Sequence, residues 1–184
     1  MLVYQRDANR LFVSLYDKLL ELAQNPGLGK WDINVYHHSE EQNACTLRSY
    51  LQNADIFLTT HGFQSTAVIF MKPGSVLLEV FPYKYYKESY FAVAYQFAVH
   101  HLWTQNIQPT SLSAQVLRGV SQGTCMADVQ CRSFARSMNV ELPPFHMEYI
   151  LNAMKQVQTG VLGLRNAPVY KFCDETNTCP ELYL

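Results

Sequence analysis

The sequence predicts an α/β fold, a doubly wound parallel sheet followed by a mostly helical C-terminal extension. Three observations carry this expectation. From Met1 to about Asn106, short apolar runs alternate with helical patterns, and parallel strands need crossovers that helices usually supply. The runs are continuously apolar, as strands buried on both faces are. After Asn106 the strand signals stop while helical ones continue. The expected organisation is therefore a sheet domain over residues 1–106, then a linker and helical extension over 107–184.

Leu2 to Gln5 opens the chain as a strand. Ser14, with Asp17 three residues on, predicts a capped helix through Leu19, Leu20 and Leu22, closed by Asn25-Pro26-Gly27. Ile33 to Tyr36 is the second strand, and Ser39-Glu40-Glu41-Gln42 is a capping box for a helix through Leu47 and Leu51. Ile56 to Leu58 is a buried strand that two threonines and His61-Gly62 bring to a stop. A helix from about Gln64 to Met71 follows, ended by Lys72-Pro73-Gly74, and Val76 to Val80 forms the next strand, with Glu79 inside it. A helix around Tyr90 to Ala98 and a strand near His101 to Thr104 complete the alternation. Gln108 to Gly123, rich in Ser, Gln, Thr and Gly, reads as a linker. Helices are expected over Asp128–Met138 and about His146–Gln156, with Pro143-Pro144 as an interruption between them.

Composition narrows the function. The 184 residues are enough for one domain, or one with an appendage, and at 48% hydrophobic and 16% charged the chain is globular. Fourteen basic and 15 acidic residues give a net charge of −1, so neither a nucleic-acid face nor an electrostatic membrane anchor is expected. No signal-peptide pattern opens the chain, and no stretch reaches the ~20 apolar residues of a membrane span. By itself that reads as a soluble cytosolic chain, yet an opening strand with no leading arm also fits a fragment of a longer protein. Cys45 stands alone, while Cys125 with Cys131 and Cys173 with Cys179 form two CxxxxxC pairs. Two disulfides in an oxidising compartment, connectivity open, are slightly favoured over unrelated buried thiols. The spacing lacks zinc knuckles, so zinc is disfavoured and no metal ligands are assigned, with metal dependence left open.

The chemistry-bearing residues cluster at strand ends. His61 follows a buried strand, and Gly62 allows a tight turn or close approach to a ligand. The helix behind them would aim its free N–H groups at that turn, a seat for an anion. Glu79 sits in an apolar strand, where a carboxylate needs partners, and at a strand end it can accept paired hydrogen bonds from a ribose diol. Arg6 and Arg10 flank the end of the first strand, and guanidinium forks match phosphate. Lys72 reads as turn decoration. The His37-His38 and His100-His101 pairs point to opposite faces of their strands and are not chelating pairs. Phe81, Tyr83, Tyr85, Tyr86, Tyr90 and Phe91 are expected to pack a loop on the sheet, with sugar or base stacking as the alternative. No GxGxxG, GxxxxGK[ST] or GxSxG motif is present, which removes most support for nicotinamide, P-loop and α/β-hydrolase chemistry.

The segment ADIFLTTHGFQSTAVIFMKPGSVLLEVFPY, preceded by the arginine pair in YQRDANRL and followed by tyrosines and HHLWTQN, resembles the family 61 glycosyltransferases across roughly Val3 to Asn106. The resemblance implies a GT-B enzyme, of which this chain would be the Rossmann-like C-terminal half that holds a nucleotide-sugar donor. It implies transfer of a sugar from that donor, UDP-linked, to a hydroxyl of a protein or glycan acceptor, with no cofactor. Arg6 and Arg10 would neutralise the donor diphosphate. His61, the catalytic residue, and the helix after Gly62 would contact phosphate or sugar, Gly62 and Phe63 would line the donor site, and Glu79 would hold the ribose. Phe63 stands where the family has a small alanine, which reshapes the donor pocket. The alternative is a nucleotide-sugar-binding module without turnover. The resemblance also implies the lumen of the Golgi or endoplasmic reticulum, in agreement with disulfides, and is compatible with a membrane anchor on a longer form.

Overall fold

The computed structural model describes residues 1–38, 44–106 and 111–166. Five parallel strands form one sheet: β1 Leu2–Gln5, β2 Asn34–His37, β3 Ile56–Thr60, β4 Val76–Phe81 and β5 His100–Gln105. Their spatial order is β2-β1-β3-β4-β5, and every neighbouring pair is parallel. The chain moves outward from β1 to β2, then returns to the other side of β1 to lay down β3. That reversal opens a crevice beyond the C-terminal ends of β1 and β3, where ligands of such sheets sit. The expected α/β architecture with a helical C-terminal part is the observed one.

Strand alternation distributes the core between two layers. Val3, Ile56, Leu58, Val76, Leu78 and Val80 face α1 (Leu15–Ala23) and α7 (Pro144–Gln158), which add Leu15, Leu19, Leu22, Met147, Ile150 and Met154. Leu2, Tyr4, Phe57 and Leu77 face the opposite layer, made by α2 (Ala44–Asn53), a 3-10 helix over Phe63–Phe70 and α3 (Phe91–Gln96). A third cluster sits beyond the C-terminal edge of the sheet. There Phe81, Tyr83 and Tyr85 pack against α4 (Leu112–Gln115), α5 (Gln122–Ala127) and α6 (Val129–Ser137) through Ala114, Cys125, Ala135 and Met138.

Several expectations change. The threonines do not stop β3; both lie inside it, fully buried. Ser14 precedes α1 in a left-handed conformation, φ 52°, and its side chain makes no capping bond. The capping box 39–42 lies outside the described residues. The segment after Gly62 is a 3-10 helix, not an α-helix. Phe63, Thr66 and Ile69 point outward while Gln64, Ser65, Ala67 and Val68 point inward, a period of three that matches three residues per turn. The expected linker 108–123 contains α4 and the start of α5 in its described part. Pro143-Pro144 separates α6 from α7 as expected and also begins α7, two residues earlier than expected, because a proline at the first helical position has no N–H to leave unpaired. Cys125 and Cys131 form a disulfide joining α5 to α6, Cys45 is free, and the Cys173/Cys179 pair lies outside the described residues. No helix among the described residues is long and apolar enough to cross a membrane.

Gly74 fixes the opposite edge of the sheet. Its φ of +81° favours glycine, and a Cβ there would collide with the backbone of Gly163, 2.7 Å from its carbonyl carbon, and of Leu164. Backbone cannot swing aside as a side chain can. Gly74→Ala is expected to destabilise the fold by about 1–3 kcal/mol, read as a lower urea midpoint at unchanged slope.

Candidate functional site

Loops from β1 and β3 meet at the crevice. Arg6 and Arg10 follow β1, and His61 and Gly62 follow β3. Arg10 donates from Nη1 to the carbonyl of His61 at 2.9 Å, and Arg6 donates from Nη1 to Oε1 of Gln64 at 3.0 Å. Arg6 also holds its own loop through Nε to the Asn9 carbonyl. Arg10 has φ +66°, a conformation uncommon for a side-chain-bearing residue, held here by the reach of its guanidinium across the crevice. Gly62 has an extended backbone, so its role is spatial. A Cβ would lie 2.7 Å from Nη1 of Arg10 and against the amide of Gln64. Gln64 in turn donates to the Thr60 carbonyl and to Oγ1 of Thr59, so the turn is locked from both sides.

Behind the turn lies a polar cluster in an apolar setting. Glu79 is fully buried in β4. Its Oε1 is 2.9 Å from Nδ1 of His61 and accepts Oγ–H of Ser65 at 2.7 Å, while its Oε2 is 3.0 Å from Nε2 of His101. Register explains the last contact. His101 is level with Leu77 on β5, so it shares a face with Glu79 and sits diagonally from it. Burial pushes the Glu79 carboxyl up, but hydrogen bonds from His101 and His61 and their charges outweigh it, and the group is held below its ordinary value.

The geometry fixes tautomers. An ionised Glu79 accepts only, so Nδ1 of His61 and Nε2 of His101 carry its protons. Nδ1 of His101 is buried without a partner, and a buried N–H left unpaired is rarer than a lone pair. His101 therefore turns its Nε2–H to Glu79. His61 keeps Nε2 as its open nitrogen. Its ring lies 4.6 Å from Phe81, nearly parallel, and 5.3 and 5.4 Å from Tyr85 and Tyr90. The tyrosines thus pack the loop onto the sheet and also wall His61. Burial, then the Glu79 charge, raises the Tyr90 phenol.

Sequence reasoning placed Arg6, Arg10, His61, Gly62 and Glu79 in one region: Arg10 bonds the His61 carbonyl, His61 bonds Glu79, Arg6 bonds Gln64, and Gly62 lies against Arg10 and Gln64. Phe63 does not fill the crevice; the residue is 79% exposed. Lys72 pairs with Asp55 at the other end of β3, 2.7 Å apart. The histidine pairs diverge as expected: His37 meets Tyr16, His38 meets Tyr4, His100 meets the Gly163 carbonyl, and only His101 joins the cluster. Three participants were missed. Ser65 and Gln64 were hidden by the α-helical reading, although their period-three spacing with Val68 was available. His101 was set aside with its neighbour, because its meeting with Glu79 depends on strand register. Among the described residues no group of three or more His, Cys, Asp or Glu is placed to hold a metal ion.

No protein-family model matches the sequence. Part of the chain is similar to protein O-linked-mannose β-1,4-N-acetylglucosaminyltransferase 2. It is 30% identical over 90 residues to the Xenopus laevis protein, covering 49% of this chain and 15% of that one. It is 29% identical over 83 residues to the Mus musculus protein, covering 45% and 14% respectively. The chain therefore matches about one seventh of the length of these relatives. Partial matches of this kind relate it to glycosyltransferases at the level of the class.

Proposed function

We propose that the crevice binds a nucleotide-sugar donor, UDP-linked, and that the chain is the donor-binding part of a glycosyltransferase acting on a hydroxyl of a glycan or protein in the secretory pathway. One observation carries the reading. Two arginines that have no carboxylate partner among the described residues reach over the turn that holds a carboxylate-oriented histidine, at the crevice between β1 and β3. Arginine forks meet a diphosphate, and the exposed ring of Phe63 offers a face for base or sugar. The names of the partially matching proteins favour the same chemistry.

In the reaction, the acceptor hydroxyl attacks the anomeric carbon while the bond from that carbon to the diphosphate oxygen breaks. The hydroxyl proton passes to Nε2 of His61. Glu79 holds the ring through Nδ1 and stabilises the imidazolium that forms, and Arg6 and Arg10 take up the charge growing on the diphosphate. Glu79 acts through His61, since both its oxygens already have protein donors.

UDP at millimolar concentration is expected to raise the melting temperature, and Arg6→Gln to remove most of that shift. Losing a charge-assisted bond of about 1.5–3 kcal/mol weakens binding roughly ten- to a hundredfold. No shift with UDP in the wild type rejects the reading. Binding without donor turnover, even in the full-length protein, selects a non-catalytic nucleotide-sugar module instead.

A further inference from the structure

Helix α6 is fastened to the site on two sides. Ala135 and Met138 are buried against the cluster of Phe81, Tyr83 and Tyr85, which leads out of β4. Just beyond the helix, Asn139 accepts the Leu11 N–H through its side chain at 3.3 Å, and Val140 bridges Phe12, exchanging backbone bonds with Leu11 and Val13. Those residues follow Arg10 directly. The C-terminal turn of α6 is therefore held between the Arg10 loop and the cluster that includes Tyr85, one of the rings beside His61, and Arg136 lies in that turn. The N-terminal end of the helix is anchored too, by the Cys125–Cys131 disulfide and by Asp128, which accepts the Cys131 N–H.

Arg136 is exposed, and none of the ion pairs among the described residues involves Arg6, Arg10 or Arg136. Burial first, then the charges of Arg6 and Arg136, lower the Arg10 guanidinium from its ordinary value, and the same Arg136 charge reaches Tyr90. Arg10 thus lies within electrostatic reach of both Arg6 and Arg136, and like charges gathered at one place, in a chain whose net charge is −1, oppose one another. An anion carrying more than one charge relieves that repulsion.

We propose that Arg136 is a third anion-binding residue of this site, reaching from α6 to close with Arg6 and Arg10 on the diphosphate of a nucleotide ligand. The proposal rests on the nucleotide-sugar reading, and it makes the C-terminal helices part of the binding site. Its sequence signal was weak, because Arg136 lies far along the chain from the motifs it would complete.

Calorimetric titration of the chain with UDP and with inorganic pyrophosphate, at low ionic strength, tests it. Arg136→Gln is expected to weaken both ligands about tenfold, and Arg136→Lys to recover part of the loss, because charge is retained without the planar fork. Arg165→Gln, beside Leu164 at the opposite edge of the sheet, is expected to change neither. UDP binding that Arg136→Gln leaves intact overturns the proposal while the nucleotide reading stands. Pyrophosphate binding that depends on Arg136, without UDP binding, upholds the anion residue and rejects the nucleotide reading. Binding of neither ligand by the wild type overturns both.

Discussion

Glu79→Ala is expected to cost about 3–5 kcal/mol of stability, the range for breaking a buried, hydrogen-bonded charge group by removing one partner. The size follows from what is left behind. Nδ1 of His61, Nε2 of His101 and Oγ of Ser65 all donate to this one carboxylate, and each would be stranded in an interior with little access to water. For a chain of this length that corresponds to a melting temperature roughly 6–20 °C lower. Glu79→Gln keeps the volume but offers one acceptor oxygen and a donor NH2 that faces other donors, so it should fall between alanine and wild type. The pH dependence carries a second signature. The folded-state pKa of Glu79 is depressed relative to the unfolded chain, so its stabilisation is complete above the unfolded carboxylate value of about 4.3 and is lost as pH falls through the lower folded value. Thermal melts taken downward from neutral pH should show wild-type stability falling across that acidic window, with a flatter profile in Glu79→Gln. Equal slopes for the two proteins would mean that the carboxylate is not the charged acceptor described here.

How much of this was legible in the sequence depends on the distance over which each signal acts. The sheet was legible because its strands are short apolar runs: Ile56, Phe57 and Leu58, or Val76, Leu77 and Leu78, each declare burial on both faces. Arg6, Arg10, His61 and Glu79 were legible because each stands at or near a strand end, where a parallel sheet gathers its loops. The 3-10 helix was misread because α and 3-10 turns share residue preferences, and only the period of burial separates them. Strand order was not legible. Nothing local says that β3 pairs with β1 rather than β2, yet that choice brings the Arg10 loop over Gly62. Nor does anything local announce that His101 and Glu79 will be diagonal neighbours, or that residues 139–140 will return to the Arg10 loop. Those contacts depend on register and packing, which local periodicity does not encode.

His61→Gln is expected to lower sugar transfer by the full-length protein by about 10²–10⁴-fold, the usual contribution of a positioned general base. With Nδ1 donating to Glu79, a neutral ring keeps Nε2 as its acceptor, and a glutamine amide can mimic the Nδ1 donor but cannot take up a proton. The carboxylate would keep all three donors, so stability should change little. The kinetic split then separates two roles. A base acts in the transition state, so kcat should fall while the affinity for UDP stays within a few fold. A phosphate ligand acts already in the ground state, so UDP and pyrophosphate binding should weaken along with turnover. Combining His61→Gln with Glu79→Gln sharpens the distinction. If Glu79 works only through the imidazole, its substitution costs further stability but almost no further kcat once His61 is gone, because the two losses are then one loss. Full additivity in kcat would assign Glu79 a contact of its own with the donor, such as the ribose diol, and would require its carboxylate to exchange a protein donor for a ligand hydroxyl on binding.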